Sequence, residues 1–181
     1  MTSTQESFKV ALSGLRINSS TAIAAVIGDP VKHSLSPVIH NVGFKSLGID
    51  WVYVACEVKE GEAQAALDAM KVLGLRGLSV TMPHKTAIAS LVDSVSPAAQ
   101  ALHSVNTVEV ATDGSLVGHS TDGDGLVASL KEQGVSVQGQ AILILGAGGA
   151  ARSVIDALQR HDCREIFVAN RSLEHAQAAV A

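Results

Sequence analysis

Aromatic residues are scarce in this chain of 181 residues, at 3%, although 47% of its residues are hydrophobic. Valine, isoleucine, leucine and alanine must therefore build the interior, and such a composition suits buried parallel strands covered by helices. The formal net charge is −4, and Lys and Arg form no cluster along the sequence. We therefore expect no basic surface for the phosphate backbone of a nucleic acid.

Cysteine is rare as well, and long apolar runs are missing. Cys56 and Cys163 are isolated in the sequence, which predicts two reduced thiols in a cytoplasmic protein. The seven His residues form no HxH or HExxH pair, so we expect no metal site. No run approaches the ~20 apolar residues of a membrane span, and residues 1–21 are mixed polar, which predicts a loose tail and no membrane partner.

What the chain does contain is a regular alternation of strand-like and helix-like segments. Short apolar runs end in glycines or polar loops, and segments with helical spacing follow them. The alternation predicts an α/β fold with a mostly parallel sheet. The polar segment Val135–Gln140 leads into a second strand–helix–strand unit. We place the boundary near Thr121, with one domain at 22–121 and another at 122–181.

The strongest local motif lies in the second domain, where a buried strand runs directly into a glycine turn. After the strand Ala141–Leu145, the turn and the start of a helix consist of Gly146, Ala147, Gly148, Gly149 and Ala150. Such a turn lets backbone N–H groups approach a pyrophosphate, which then lies on the positive end of the helix. Glycine turns also serve packing alone, but the order strand, turn, helix, strand favours a Rossmann-type dinucleotide site.

The residues after the next strand indicate which dinucleotide binds. A cofactor with a free ribose 2′-hydroxyl usually meets an acidic residue at about this place. This chain instead has Asn170, Arg171 and Ser172, and the planar guanidinium of Arg171 suits a phosphate. The alternative is a solvated arginine at the end of a strand. We expect NADP rather than NAD.

Polar residues also gather at strand-to-helix junctions of the first domain, where α/β proteins bind ligands. Ser34 and Ser36 stand at a helix start, with Ser36 as the predicted N-cap, and two hydroxyls beside free N–H groups can bind a carboxylate. Lys85 lies in the first turn of another helix, where a cation opposes the helix dipole. Each residue taken alone also has a simpler interpretation: Lys85 as a solvated side chain, Asp122 as an N-cap and Asn106 as a residue that stabilises a turn.

As a set, these motifs resemble the shikimate dehydrogenase family, which includes the quinate/shikimate enzymes. The resemblance covers essentially everything from Ala24 onward and rests on six segments in the family's order: His33-Ser-Leu-Ser-Pro37, Val80-Thr-Met-Pro-His-Lys85, Val105-Asn-Thr107, Gly118-His-Ser-Thr-Asp-Gly123, Gly146-Ala-Gly-Gly-Ala150 and Asn170-Arg-Ser172. It implies the reversible, NADPH-dependent reduction of 3-dehydroshikimate to shikimate in chorismate and aromatic amino acid biosynthesis.

The resemblance also implies a role for each candidate residue. Lys85 and Asp122 would be the catalytic pair, in which Lys85 exchanges a proton with the reacting oxygen and Asp122 orients it. The substrate would be bound by Ser34 and Ser36 at its carboxylate and by Thr81 and Asn106 at ring hydroxyls. NADP would be bound at its pyrophosphate by Gly146, Ala147, Gly148, Gly149 and Ala150, and at its 2′-phosphate by Asn170, Arg171 and Ser172. The domain at 22–121 would then bind substrate, and the domain at 122–181 would bind NADP.

Three places depart from the family pattern. Ser79 and Ser120 stand where the family usually has Asn, and His103-Ser104 replaces Gly-Ala. These departures leave quinate or a related cyclohexane acid as an alternative substrate. The family continues past Ala181 into the rest of the nucleotide-binding sheet, so we expect an incomplete Rossmann domain, and a shikimate-binding module without turnover is a second alternative. We expect a monomer or homodimer.

Overall fold

A computed structural model describes residues 17–180, which form two separate sheets. Residues 1–16 of the expected loose tail lie outside the described part. The last residues of that tail are attached to the first sheet, because the hydroxyls of Ser20 and Thr21 donate hydrogen bonds of 3.3 and 2.8 Å to the carboxylate of Asp50.

The first sheet has six strands in the order β2-β1-β3-β5-β6-β4. Every strand runs in the same direction except β5, which is antiparallel to both of its neighbours. The predicted α/β fold with a mostly parallel sheet is therefore confirmed. The strands are β1 (Ala22–Gly28), β2 (Trp51–Glu57), β3 (Gly77–Val80), β4 (Ser94–Val95), β5 (Thr107–Val110) and β6 (Leu116–His119).

Four helices connect these strands, and two of them end at a glycine. Gly48 and Gly74 follow the helices in the left-handed region, with φ of 67° and 69°, which glycine adopts without a Cβ clash. The helices are α1 (Ser36–Leu47), α2 (Ala63–Leu73), α3 (Lys85–Ala89) and α4 (Pro97–Leu102).

The main core lies on one face of this sheet, between β1, β3, β5 and β6 and the helices α2 to α4. Its fully buried side chains include Leu67, Met70, Ile88, Val108 and Leu116. A smaller cluster on the opposite face contains Val26, Val31 and Tyr53. Burial of a side chain of this size contributes about 1.5–3 kcal/mol, so both clusters stabilise the packing of the helices on the sheet.

The second unit is a two-stranded parallel sheet with three helices. Val127 of the first of these helices packs with Val137, Ala157 and Leu158 in a separate core. The elements are α5 (Asp122–Glu132), β7 (Ala141–Leu145), α6 (Gly149–Arg160), β8 (Glu165–Ala169) and α7 (Leu173–Val180). Across residues 17–180, none of the helices has the length and apolar character that a bilayer crossing requires.

Candidate active site

All six residues predicted to act on the substrate line one cleft of about 600 Å³ at an edge of the first sheet. The loops that follow β1, β3 and β6, together with the residue that precedes β5, supply its polar side chains. Parallel strands place such loops at a shared edge, which explains why residues far apart in sequence meet there. The six are Ser34, Ser36, Thr81, Lys85, Asn106 and Asp122.

Lys85 and Asp122, called the central pair below, form an ion pair that lines the cleft. The ammonium Nζ of Lys85 donates to Oδ2 of Asp122 at 2.6 Å, and Asn106 Nδ2 donates to Oδ1 of the same carboxylate at 2.6 Å. The backbone N–H of Thr121 donates to Asn106 Oδ1 at 3.0 Å, which fixes the amide. An ammonium has three donors, so Lys85 can bind a ligand oxygen while it keeps its contact with Asp122.

The alternative interpretation of Asp122 as an N-cap is wrong. The N-cap of α5 is Thr121, without a side-chain cap, and Asp122 is the first helical residue. Its carboxylate is instead used by Lys85 and Asn106. The tertiary contacts of this side chain therefore override its local capping preference.

Ser34 and Ser36 form a pair of hydroxyls at the start of α1. Ser34 Oγ donates to Ser36 Oγ at 3.1 Å and accepts from the backbone N–H of Ser36 at 3.2 Å. The predicted N-cap role of Ser36 is also wrong, because Leu35 is the N-cap and Ser36 begins the helix. The serine side chains consequently remain in the cleft beside the positive end of α1, where an anion is stabilised.

Sequence reasoning missed several residues of the cleft. His33, His40 and Ser79 line it, although the sequence marked Ser79 only as a departure from a family pattern. His40 could have been found, because it lies four residues after Ser36 and so on the same face of α1. His84 fixes the loop before Lys85: it is 2% exposed, and its Nε2 lies 2.8 Å from the carbonyl oxygen of Val58.

A second cavity, of about 310 Å³, lies between the two units and shares the Lys85–Asp122 pair with the cleft. Its other walls include Gly149, Ala150 and Ser153 of α6. The pair therefore stands at the border between the substrate cleft and the start of the helix that follows the glycine turn.

The glycine turn has room for a phosphate group. Gly146 has φ of +109°, a conformation that favours glycine. A Cβ added to Gly148 or Gly149 would meet no heavy atom within 4 Å, so the turn is open. Gly148 is the N-cap of α6 and supplies no side-chain cap, so the first N–H groups of the helix are available to an anion. These features fit a dinucleotide pyrophosphate.

The segment after β8 lines neither cavity, and its Asn170 and Arg171 are exposed whereas Ser172 is half-buried. Asn170 Nδ2 donates to the backbone oxygen of Ser172 at 3.0 Å, which shapes this loop. Within residues 17–180, the exposed guanidinium of Arg171 has no hydrogen-bond or ion-pair partner, so it is available to a phosphate. The same residues contain no group of three or more His, Cys, Asp or Glu side chains placed to hold a metal ion.

A lysine–carboxylate pair in a cleft at the edge of an α/β sheet, next to an open glycine turn that begins a helix, places the chain in the class of α/β proteins whose ligand clefts lie at the ends of parallel strands. Two family models agree: the shikimate dehydrogenase substrate binding domain matches residues 26–108, and shikimate / quinate 5-dehydrogenase matches residues 128–181. The chain belongs to the shikimate dehydrogenase family.

Individual relatives give the same result. The shikimate dehydrogenase (NADP(+)) of Alkaliphilus metalliredigens is 45% identical over 162 residues, which are 90% of this chain and 56% of that protein. The corresponding protein of Moorella thermoacetica is 46% identical over 162 residues, 90% of this chain and 55% of its own length. The chain thus spans a little more than half the length of the curated relatives it matches.

Solved structures share the fold. Shikimate 5-dehydrogenase from Listeria monocytogenes, in complex with shikimate and NAD, is 40% identical and has a TM-score of 0.86, over 91% of this chain and 58% of that one. The enzyme from Thermus thermophilus, in complex with NADP(H) and shikimate, is 39% identical with a TM-score of 0.81, over 87% of this chain and 59% of that one.

Proposed function

We propose that this chain carries the substrate site and part of the cofactor site of an NADP-dependent shikimate dehydrogenase, which reversibly reduces 3-dehydroshikimate to shikimate. The observation that carries the proposal is the 2.6 Å contact between Lys85 Nζ and Asp122 Oδ2 at the border of the two cavities. Residues 22–121 form the substrate domain in this proposal, and residues 122–181 belong to the cofactor domain.

The substrate is held by groups suited to a hydroxylated acid. Ser34 and Ser36, at the positive end of α1, bind the carboxylate. Thr81 and Asn106 bind ring hydroxyls, since both line the cleft that contains the serines. With the carboxylate and the hydroxyls fixed, the carbonyl oxygen is left beside Lys85.

Proton transfer is the task of the central pair. As hydride reaches the carbonyl carbon, the oxygen gains negative charge, and Lys85 donates a proton to it. In the reverse direction Lys85 accepts that proton. Asp122 holds the ammonium at the reacting oxygen, and the contact of Asn106 with the other carboxylate oxygen keeps Asp122 in place.

NADP supplies or accepts the hydride when it is bound. The backbone of Gly146, Ala147, Gly148, Gly149 and Ala150 holds its pyrophosphate, because the turn is open and the N-terminus of α6 has no side-chain cap. The 2′-phosphate is bound by the loop of Asn170, Arg171 and Ser172, in which Arg171 provides the charge.

The test is an assay of the full-length protein with shikimate and NADP, followed by the absorbance of reduced nicotinamide. Reduction with shikimate and NADP supports the proposal, and slower reduction with NAD supports the role of the 2′-phosphate. Faster turnover of quinate than of shikimate would favour the alternative substrate. A folded protein that reduces NADP with neither acid contradicts the enzyme function.

We further propose a cytoplasmic protein that is a monomer or homodimer and has neither nucleic acid nor membrane as a partner. Cys56 and Cys163 are both free thiols, which suits a reducing compartment. The net negative charge disfavours a nucleic-acid backbone as a partner. Light scattering of the full-length protein measures the oligomeric state.

A further inference from the structure

The sheet beneath the substrate cleft contains a buried hydroxyl that makes no hydrogen bond. Tyr53 is 4% exposed, and among residues 17–180 its hydroxyl has no hydrogen-bond partner. A buried polar group without a partner lowers the stability of a fold, and nearly all such groups in proteins are satisfied. The hydroxyl of Tyr53 is therefore an exception that requires a reason.

The ring of Tyr53 lies in a fixed position over β1. Tyr53 pairs with Ala24 of β1, and Ala24 pairs with Gly77 of β3. Because both of these residues are small, they leave room for the tyrosine ring on this face of the sheet. The ring packs with Val26. It also stacks on the imidazole of His40, with centroids 4.2 Å apart and planes inclined by 7°. His40 in turn lines the cleft.

The backbone of Tyr53 is equally constrained. Asn41, on α1, accepts from the N–H of Tyr53 at 2.9 Å and donates to its carbonyl oxygen at 2.8 Å. The same amide donates to the carbonyl oxygen of Pro37 at 2.7 Å. Tyr53 cannot move towards a new partner without breaking these buried bonds, so a partner must come to Tyr53.

Ser79 is a polar neighbour of this hydroxyl and itself lines the cleft. Burial raises the pKa of Tyr53, and the Ser79 hydroxyl partly offsets that rise. The two hydroxyls are nevertheless not bonded to each other, because that of Tyr53 has no partner in hydrogen-bond geometry. Ser79 is half-buried in the wall of the cleft, and within residues 17–180 its own hydroxyl makes no hydrogen bond either.

We propose that Tyr53 and Ser79 form a hydroxyl relay that binds an acceptor oxygen of the hydroxylated acid in the cleft. A serine hydroxyl has one donor and two acceptor sites, so Ser79 can accept from Tyr53 and donate to the ligand at the same time. Ser79 contacts the ligand, and Tyr53 is a positioning residue that acts through Ser79. The relay rests on the proposed function in one respect only, namely that its ligand is a hydroxylated carboxylic acid.

The relay predicts that the two hydroxyls act as one unit in binding. Calorimetric titration of the full-length protein with shikimate compares wild type, Tyr53→Phe, Ser79→Ala and the double variant. Each single substitution is expected to weaken binding roughly 5-fold, which is the usual net effect of one neutral hydrogen bond. The double variant is expected to bind as Ser79→Ala does, because coupled residues are not additive. Additive losses, or a Tyr53→Phe variant that binds like wild type, overturn the relay.

Thermal unfolding separates positioning from a structural role. Tyr53→Phe removes a buried hydroxyl that has no partner, so the Tm of the ligand-free protein is expected to rise by roughly 2–4 °C. A hydroxyl that merely stabilised the fold would lower Tm on removal, and that result overturns the relay. The control is Ser94→Ala, which removes an exposed hydroxyl from β4 of the same sheet and is expected to change neither Tm nor binding.

Wild-type binding distinguishes failure of the relay from failure of the proposed function. If wild type binds shikimate but all variants bind it equally well, only the relay fails. If wild type binds quinate and not shikimate, the proposed substrate fails, and the relay is tested with quinate in the same variants. If wild type binds neither acid, both proposals are overturned.

Discussion

The backbone N–H of Gly123 donates a 2.9 Å hydrogen bond to the buried Oγ of Ser153. This bond joins α5, which begins with Asp122, to α6, which begins at the glycine turn. A Cβ on residue 123 would overlap the carbonyl oxygen of Ser153, so the two helices cross in close contact. The carboxylate of the central pair is thereby held at a fixed distance from the open end of α6.

Gly123→Ala is expected to destabilise the protein, because the neighbour it meets is backbone and cannot rotate away. Overpacking of this kind costs about 1–3 kcal/mol in the free energy of unfolding, which urea denaturation measures. The matched control is Gly125→Ala in the same helix, where a Cβ meets nothing within 4 Å. Alanine has a higher helix propensity than glycine, so Gly125→Ala is expected to leave the free energy of unfolding unchanged or to raise it by up to ~1 kcal/mol. Equal effects at both positions would contradict the close crossing.

Lys85→Ala is expected to lower kcat for shikimate oxidation by roughly 10²–10⁴-fold, the usual contribution of a positioned proton-transfer group. KM is expected to change far less, because the carboxylate and hydroxyl contacts remain. Steady-state kinetics of the full-length protein give both values. Lys131→Ala, an exposed lysine near the end of α5, is the control and is expected to behave like wild type. A normal kcat in Lys85→Ala would remove the residue from proton transfer.

In the proposed cofactor site, Arg171→Ala is expected to weaken the binding of NADP by roughly 10-fold, since it would remove the proposed charge-assisted hydrogen bond to the 2′-phosphate. NAD has no 2′-phosphate, so its affinity is expected to change little. Fluorescence titration with both reduced cofactors measures the ratio. Arg164→Ala, whose side chain is 66% exposed before β8, controls for the loss of positive charge. If Arg171→Ala lost the same affinity for NADP as for NAD, contact of Arg171 with the 2′-phosphate would be excluded.

Asp124 provides a pH-dependent contribution to stability. Its carboxylate accepts from Nη1 and Nη2 of Arg160 at 2.8 and 3.0 Å, and these bonds hold the pKa of Asp124 below its usual value. The stabilisation is therefore complete above the unfolded pKa of about 4 and is lost as the pH falls through the lower, folded pKa.

The difference in unfolding free energy between wild type and Asp124→Asn is therefore expected to be constant near neutral pH and to shrink below about pH 4. Chemical denaturation across this range measures it. Glu132→Gln, an exposed carboxyl substitution in the same helix, is the control. A difference that stays the same at all pH values would show that the charge of Asp124 contributes nothing.

The sequence predicts this fold well where a local rule determines the backbone. Glycine after α1 and α2 ends each helix because only a left-handed residue fits there. The two-residue strand β4 was not predicted, because two residues are too few to show an alternation of apolar and polar side chains. Its pairing with β6 stabilises it as a strand.

The sequence predicted six polar residues that line the cleft, but it predicted neither their contacts nor the further lining residues His33, His40 and Ser79. Ser36 and Asp122 both have the residue type of an N-cap, yet neither is one, because their side chains are used by Ser34 and by Lys85 and Asn106. Nothing in the sequence indicates that the hydroxyl of Tyr53 is buried without a hydrogen-bond partner. It depends on the spacing of three neighbouring strands, which only the folded sheet establishes.

The reversed direction of β5 places both ends of the β5–β6 hairpin at the substrate cleft and its turn, Thr112–Ser115, at the opposite edge of the sheet. Asn106 and Asp122 are therefore brought together by a connection whose turn does not line the cleft. Exposed turns of this kind tolerate cleavage and insertion. We therefore expect that a purification tag or a fluorescent reporter inserted at Gly114 leaves the carboxylate of Asp122 and its amide partner Asn106 in position.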